Sequence, residues 1–111
     1  MLRLLERDPH GQRLRDLLAR FRAQELALTT LLQELQEELE HAHRATTDQA
    51  HDGHPGPATL RSRCIELQAD CDLVATELVH VRLAVAGACE ELAEHDFRRF
   101  AAADQPLGTT A

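Results

Sequence analysis

The fold is decided by residues 60–92, which read LRSRCIELQADCDLVATELVHVRLAVAGACEEL. Alternate steps of four and three residues from Leu60 select ten positions, and all ten are apolar: Leu60, Cys64, Leu67, Cys71, Val74, Leu78, Val81, Val85, Ala88 and Leu92. A sustained apolar stripe with a period of 3.5 residues is typical of a helix that packs against another helix in a coiled coil. We therefore expect a long helix here and a partner helix elsewhere in the chain.

Residues 14–46 contain the partner stripe. The same steps select ten positions there, of which all but Glu25 and Thr46 are apolar: Leu14, Leu18, Phe21, Glu25, Leu28, Leu32, Leu35, Leu39, Ala42 and Thr46. If the chain folds back on itself, the two stripes pair in one register, from Leu14 opposite Leu92 to Ala42 opposite Cys64. Flanking charges agree with this register, because the four arginines between Arg13 and Arg22 then face the acidic residues between Glu90 and Asp96. The sequence thus predicts an all-α fold, an antiparallel coiled-coil hairpin of two long helices.

The boundaries of the two helices follow from local signals. Asp8 before Pro9 is a good helix start, since Asp caps free amides and Pro needs no amide partner in the first turn. Gly and Pro are concentrated around residues 53–57, where a turn is expected. We predict an N-terminal arm (1–8), a first helix (9–47), a turn (48–57), a second helix (58–103) and a disordered tail (104–111). Gly11 weakens the first turn, so the first helix could begin near Gln12.

The composition of the chain argues against some classes of partner and indicates the cellular compartment. The formal charge of −7 argues against a nucleic-acid partner, and the chain has no Trp or Tyr to stack on bases. No apolar run reaches the roughly 20 residues that a membrane span needs, and the first residues lack the apolar core of a signal peptide. Three Cys cannot close a disulfide framework within one chain. These features predict a cytoplasmic protein.

Two groups of residues suggest a metal site. Glu-x-x-His, a spacing found in ferritin-like di-iron bundles, occurs at Glu40/His43 and at Glu77/His80. The heptad register turns both motifs away from the stripe, so a solvated helix face is the simpler interpretation. Histidines near the turn could bind zinc weakly, although the Gly/Pro-rich turn provides no rigid geometry. The weak metal candidates are His41, His43, His51, His54, Glu77 and His80.

No arrangement of residues indicates catalysis. Cys64 and Cys71 lie on the stripe, where little thiolate character is expected. His95, near Glu91 and Asp96, is expected on a helix surface at the open end of the hairpin. The sequence contains no Gly-rich phosphate loop following a strand. We therefore expect neither an enzyme nor a bound cofactor.

Apolar residues outside the stripes predict an interaction surface. Two helices alone cannot enclose them all, and a bare helical hairpin of this size is marginally stable. We expect these residues to bind a second copy of the chain, forming a four-helix bundle, or another protein. The candidate interface residues are Ile65, Leu73, Val79, Leu83, Ala86, Leu17, Leu26 and Leu31.

The predicted function is a non-enzymatic cytoplasmic interaction module, an adaptor or regulator that acts through its helix faces. One alternative is a metal-binding, ferritin-like four-helix bundle. In size and layout the chain is also similar to the small helical-hairpin proteins of type VII secretion systems, which implies a secreted hairpin as the other alternative. That family carries Trp-x-Gly in its turn, whereas the turn here reads HDGHPGP at residues 51–57.

Overall fold

The computed structural model describes residues 8–51 and 58–104, with the side chains of residues 49–51, 103 and 104 left outside this description. It consists of two α-helices, α1 (Pro9–His51) and α2 (Ala58–Asp104), and confirms the all-α hairpin. Neither helix contains a segment that is long and apolar enough to cross a membrane. The predicted N-terminal arm up to Arg7, most of the turn and the tail from Gln105 lie outside the described residues.

Both helices contribute to each of two compact units. One unit comprises Met1–Ala23 with Arg82–Ala111, and the other is Gln24–Val81. We call these the terminal unit and the turn unit. In the terminal unit, Arg15 approaches Asp96 and Arg22 approaches Cys89, so residue numbers rise along α1 as they fall along α2. The two helices are therefore antiparallel there, and the predicted pairing of Arg15 with the acidic end of α2 is confirmed.

The predicted stripe on α2 forms the core. Every one of its ten positions is buried or half-buried, and Leu67, at 1% exposed, is the most deeply buried large side chain. In the turn unit Ala42, Cys64 and Leu67 form one cluster, with Leu35, Leu39 and Leu60 packed against it. Ala42 and Cys64, and likewise Leu39 and Leu67, are paired in the predicted register, and all four belong to this cluster. An ion pair of 3.0 Å between Arg63 and Glu38 flanks these layers.

The predicted end of α1 at Thr47 is wrong, whereas its predicted start at Pro9 is confirmed. The helix continues four residues past Thr47, to His51. Thr46 and Thr47 donate their hydroxyl groups to the carbonyl oxygens four residues earlier, at 2.9 Å each, so neither Thr interrupts the helix. At the other end the helix does not slip to Gln12. It begins at Pro9, because the Asp8 carboxylate caps the first turn by accepting a hydrogen bond from the Gly11 amide.

The core predicts a clear contrast between two leucines on α2. Leu67→Ala should lower the free energy of unfolding by about 2–5 kcal/mol, since it leaves a cavity at a fully buried position. Leu73→Ala, at a position that is 67% exposed, should change it by less than about 0.5 kcal/mol. Urea unfolding followed by far-UV circular dichroism measures both. Equal losses in the two variants would contradict the placement of the core.

Candidate functional site

A polar cluster lies at the end of the helix pair in the terminal unit, at the heptad positions that follow the apolar stripe. Continuing the alternate steps from Leu92 along α2 reaches His95 and Arg99, which are both half-buried. Continuing backward from Leu14 along α1 reaches Gly11, which is buried. Asp8 lies one turn before Gly11 and contacts both α2 residues. The stripe therefore ends in charged side chains that occupy core-like positions.

Asp8 is the centre of this cluster. As the N-cap of α1, it accepts a hydrogen bond from the Gly11 amide at its Oδ1, at 3.0 Å. The same oxygen lies 2.9 Å from Nε2 of His95. Its Oδ2 lies 2.9 Å from Nη1 of Arg99 and 3.4 Å from Nη2 of Arg15. One carboxylate thus caps α1 and holds it to α2.

The surroundings of Asp8 act on its pKa in opposite directions. Partial burial by itself raises the pKa of the carboxyl group. The hydrogen bond from the Gly11 amide lowers it, as do the charges of Arg99 and His95 and the hydrogen bond from Arg15. Together these favourable contacts outweigh burial, so the pKa lies below its usual value of 3.8.

His95 lies between two carboxylates. Its Nε2 faces Asp8, and its Nδ1 is 3.1 Å from Oδ1 of Asp96. The ring also meets His10 edge to face, with ring centroids 5.3 Å apart. A protonated imidazole has two N–H donors and can satisfy both carboxylates at once, whereas a neutral ring can donate to one of them. Oδ1 of Asp96 is in turn 3.8 Å from Nη1 of Arg15. Because Arg15 also contacts Asp8, the same arginine lies near both carboxylates.

Gly11 is required by this packing. A Cβ atom at this position would lie 2.0 Å from Oδ2 of Asp8 and 2.6 Å from Cε1 of His95. The Asp8 carboxylate is fixed by its cap and by its cationic partners, so it cannot turn away without losing those contacts. Glycine, which weakens most helices, here lets α1 and α2 approach closely enough for Asp8 to reach His95.

A metal ion would compete with two arginines for this cluster. Asp8, His95 and Asp96 each offer a ligand atom, and these atoms lie within 4.8 Å of one another. However, Arg99 and Arg15 already contact Oδ2 of Asp8, and Arg15 also approaches Asp96. A divalent cation would have to displace both guanidinium groups, each of which carries a full positive charge. The arrangement is suited to joining two helices and poorly suited to binding a cation.

The adjoining groove is polar. It has a volume of about 470 Å³ and is lined by His10, Glu91, Glu94, His95, Arg98 and Arg99. Arg98 pairs with Glu94, four residues earlier on α2. Small-molecule sites in proteins are mostly apolar cavities with a few convergent polar groups. This groove has the opposite composition, so we do not assign a ligand to it.

The metal candidates chosen from the sequence do not converge within the described part of the chain. His41, His43, Glu77 and His80 are exposed, and Glu40 forms an ion pair with Arg44. The side chain of His51 and all of His54 lie outside the described residues. From the sequence alone, Asp8 is predicted only as a helix cap and His95 only as a surface histidine. The signal that would have linked them is the continuation of the heptad steps past Leu92.

The three cysteines form no disulfide with one another, and two of them are core residues. Cys64 and Cys71 are buried and Cys89 is half-buried, all as free thiols. Burial raises the pKa of the Cys71 thiol, and the carboxylates of Asp72 and Asp70 raise it further. Since the thiolate is the reactive form, Cys71 is a poor nucleophile. Its structure agrees with the predicted role of a small hydrophobic core residue.

Most of the predicted interface residues are exposed. Leu26, Leu31, Ile65, Leu73, Val79 and Leu83 are between 42% and 72% exposed. Ala86 is exposed as well, whereas Leu17 is half-buried beside the stripe. Phe97 and Phe100, at 74% and 75% exposed, are interface candidates that the sequence prediction does not include.

No protein-family model, curated protein or solved structure matches the chain.

The two glycines of the described helices should respond in opposite ways to the same substitution. Gly11→Ala should lower the free energy of unfolding by about 1–3 kcal/mol, because the new methyl group overlaps Asp8 and His95. Gly87→Ala should raise it by about 0.4–1 kcal/mol, because a Cβ atom there meets nothing within 4 Å. Thermal unfolding of both variants tests this. A stabilising Gly11→Ala would show that the close approach at the cluster is wrong.

The charge of Asp8 should make stability depend on pH in a defined direction. A carboxyl group whose pKa is lowered in the folded state contributes stability above its unfolded-state pKa and loses it as pH falls through the folded-state pKa. Asn keeps the capping oxygen but removes the charge. At pH 7, Asp8→Asn should therefore melt at a lower temperature than the original protein. The difference should shrink progressively below about pH 4, since the usual pKa is 3.8.

Asp16→Asn is the matched control for this pH series. Asp16 is exposed, and its Oδ1 accepts a hydrogen bond from the side-chain amide of Gln12 (Nε2) at 2.9 Å. It lies outside the set of contacts around Asp8, so its substitution should change the melting temperature little at any pH. A difference between Asp8→Asn and the original protein that stays constant from pH 7 to pH 2 would contradict the ionic role of Asp8.

Proposed function

We propose that this protein is a non-enzymatic interaction module of the cytoplasm, an adaptor or regulator that works by presenting helix faces to other proteins and to a second copy of itself. The observation that carries the proposal is the exposure of eight large apolar side chains, although the core between the helices is already filled. They are Leu26, Leu31, Ile65, Leu73, Val79, Leu83, Phe97 and Phe100. Three free thiols, two of them in the core, support a reducing compartment.

Five of the exposed apolar residues in the terminal unit fall on one row of α2. Alternate steps of three and four residues from Leu83 select Leu83, Ala86, Glu90, Ala93, Phe97 and Phe100, all of which are exposed. We call this the outer row. Its period is that of the stripe in the core, so it has the pattern of a second coiled-coil contact. Glu90 is its one charged member.

The size of the outer row favours an interface. A phenylalanine side chain buries roughly 150–250 Å² in protein contacts, and both phenylalanines here are about three-quarters exposed. Together they expose roughly 300 Å² of apolar surface, before Leu83 and the two alanines are added. The largest apolar patch on a typical monomer is about 300–600 Å² and is often functional. We therefore assign the outer row to self-association into a four-helix bundle.

Light scattering tests self-association directly. At micromolar concentration we expect a mass of twice the 12.4 kDa of one chain. The double variant Leu83→Gln/Phe97→Gln should move the mass toward that of the monomer, because each substitution removes an apolar contact from the outer row.

Leu73→Gln is the control for the outer row, since Leu73 is as exposed as Leu83, at 67% against 66%, but lies on another face of α2. It should leave the dimer intact. A monomer at these concentrations, or a dimer that survives the double variant, would contradict self-association through the outer row.

A further inference from the structure

The net negative charge of this protein falls on one of its two units. Residues 24–81, the turn unit, contain eleven acidic residues and three arginines, a formal charge of −8. The remaining residues contain eight acidic residues and nine arginines, a formal charge of +1, and the two values give the −7 of the whole chain. The net charge of the turn unit therefore favours a positively charged partner.

One face of the turn unit combines this charge with exposed leucines. On α2, alternate steps of three and four residues select Arg63, Glu66, Asp70, Leu73 and Glu77, all exposed. Residues with these spacings lie on one side of a helix. Leu73 is 67% exposed and has Asp70 one turn before it and Glu77 one turn after it. An exposed leucine is thus enclosed by carboxylates along its own helix.

Helix α1 extends the same face. Its residues Leu31, Glu34 and Glu38 also follow steps of three and four and are exposed. The 3.0 Å ion pair between Glu38 and Arg63 shows that the rows on the two helices lie on the same side of the pair. Leu31 lies seven residues before Glu38 on α1, and Asp70 lies seven residues after Arg63 on α2. In the predicted antiparallel register, these equal steps place Leu31 level with Asp70.

Most of the carboxylates on this face lack a cation. Arg63 contacts Glu38 and, at 3.7 Å, Glu66. Within residues 8–51 and 58–104, Glu34, Asp70 and Glu77 form no ion pair. Acidic side chains one turn apart, such as Glu66 and Asp70, repel each other on a helix. A partner that brings positive charge would relieve this repulsion while covering Leu31 and Leu73.

We propose that this acidic face binds a basic amphipathic helix, in which lysines or arginines flank apolar residues repeated every three or four positions. Leu31 and Leu73 supply the apolar contacts and the carboxylates beside them supply the charged contacts, and helix-binding surfaces combine these two kinds of contact. The row from Arg63 to Glu77 is about 21 Å long, so it accommodates roughly four turns of a partner helix. A second copy of this face carries the same negative charge and would be repelled. The inference rests on the proposed function, whose partner it specifies.

Two synthetic peptides of about 18 residues test this with the full chain. One has leucines at heptad spacing and lysines elsewhere, and the other has glutamates in place of the lysines. Fluorescence anisotropy should show binding of the lysine peptide alone, and binding should weaken as salt rises from 50 to 500 mM. Leu73→Gln should weaken it about tenfold, since a buried leucine is lost. Leu83→Gln, equally exposed but on the outer row, should change it less than about twofold.

Each contrary result overturns the inference. These results are no binding of the lysine peptide, equal binding of the glutamate peptide, and equal effects of Leu73→Gln and Leu83→Gln. Circular dichroism of both variants should confirm that each remains helical, as expected for substitutions at exposed positions. If Leu73→Gln dissociates the dimer, the face is occupied by a second copy instead. Peptide binding can fail while Leu83→Gln/Phe97→Gln still dissociates the dimer, in which case the proposed function stands and this partner class does not.

Discussion

The packing of one apolar stripe against another is the interaction on which the rest of this structure depends. It buries Leu67 and its neighbours, and it fixes the rotation of each helix about its own axis. Once that rotation is fixed, every other residue is assigned to a side of the helix, because positions three and four apart share a face. The register therefore determines which charges meet, which histidines point outward and which leucines stay exposed.

The same register explains why the chain ends its helix pair with charged residues. Apolar side chains would have continued the stripe past Leu14 and Leu92, but Gly11, His95 and Arg99 occupy those positions. Charged groups at half-buried sites are tolerated when they are paired and hydrogen-bonded. Asp8 meets that condition with contacts to the Gly11 amide, His95 and two arginines. The cluster gives the helix pair a defined end, since a slip of one heptad would leave these charges without partners.

The sequence predicts the fold well because the fold rests on periodicity. The stripes, their pairing, the N-cap at Asp8 and the exposure of Leu73 and Leu83 follow from counting residues. The cluster around Asp8 is less accessible, because a cap and a histidine 87 positions apart are joined only when the helix pair is in place. The predicted end of α1 differs from the observed end at His51 for a local reason. Two threonines and the polar residues after them resemble a turn, yet their hydroxyl groups bond back to the helix.

Phe97 and Phe100 are also features that the stripe pattern alone does not predict. They lie beyond Leu92, the last member of the core stripe, so the sequence prediction includes only Leu83 and Ala86 of the outer row. In three dimensions the outer row is a second apolar stripe with the period of the first, on a helix whose inner stripe is already packed.

The core and the cluster both have their contacts within the chain: the leucines of the core are covered, and the charges of the cluster are matched. The outer row and the acidic face carry apolar surface that the described contacts do not cover. We therefore propose these two surfaces as the sites of recognition, and their different charge suits them to different partners.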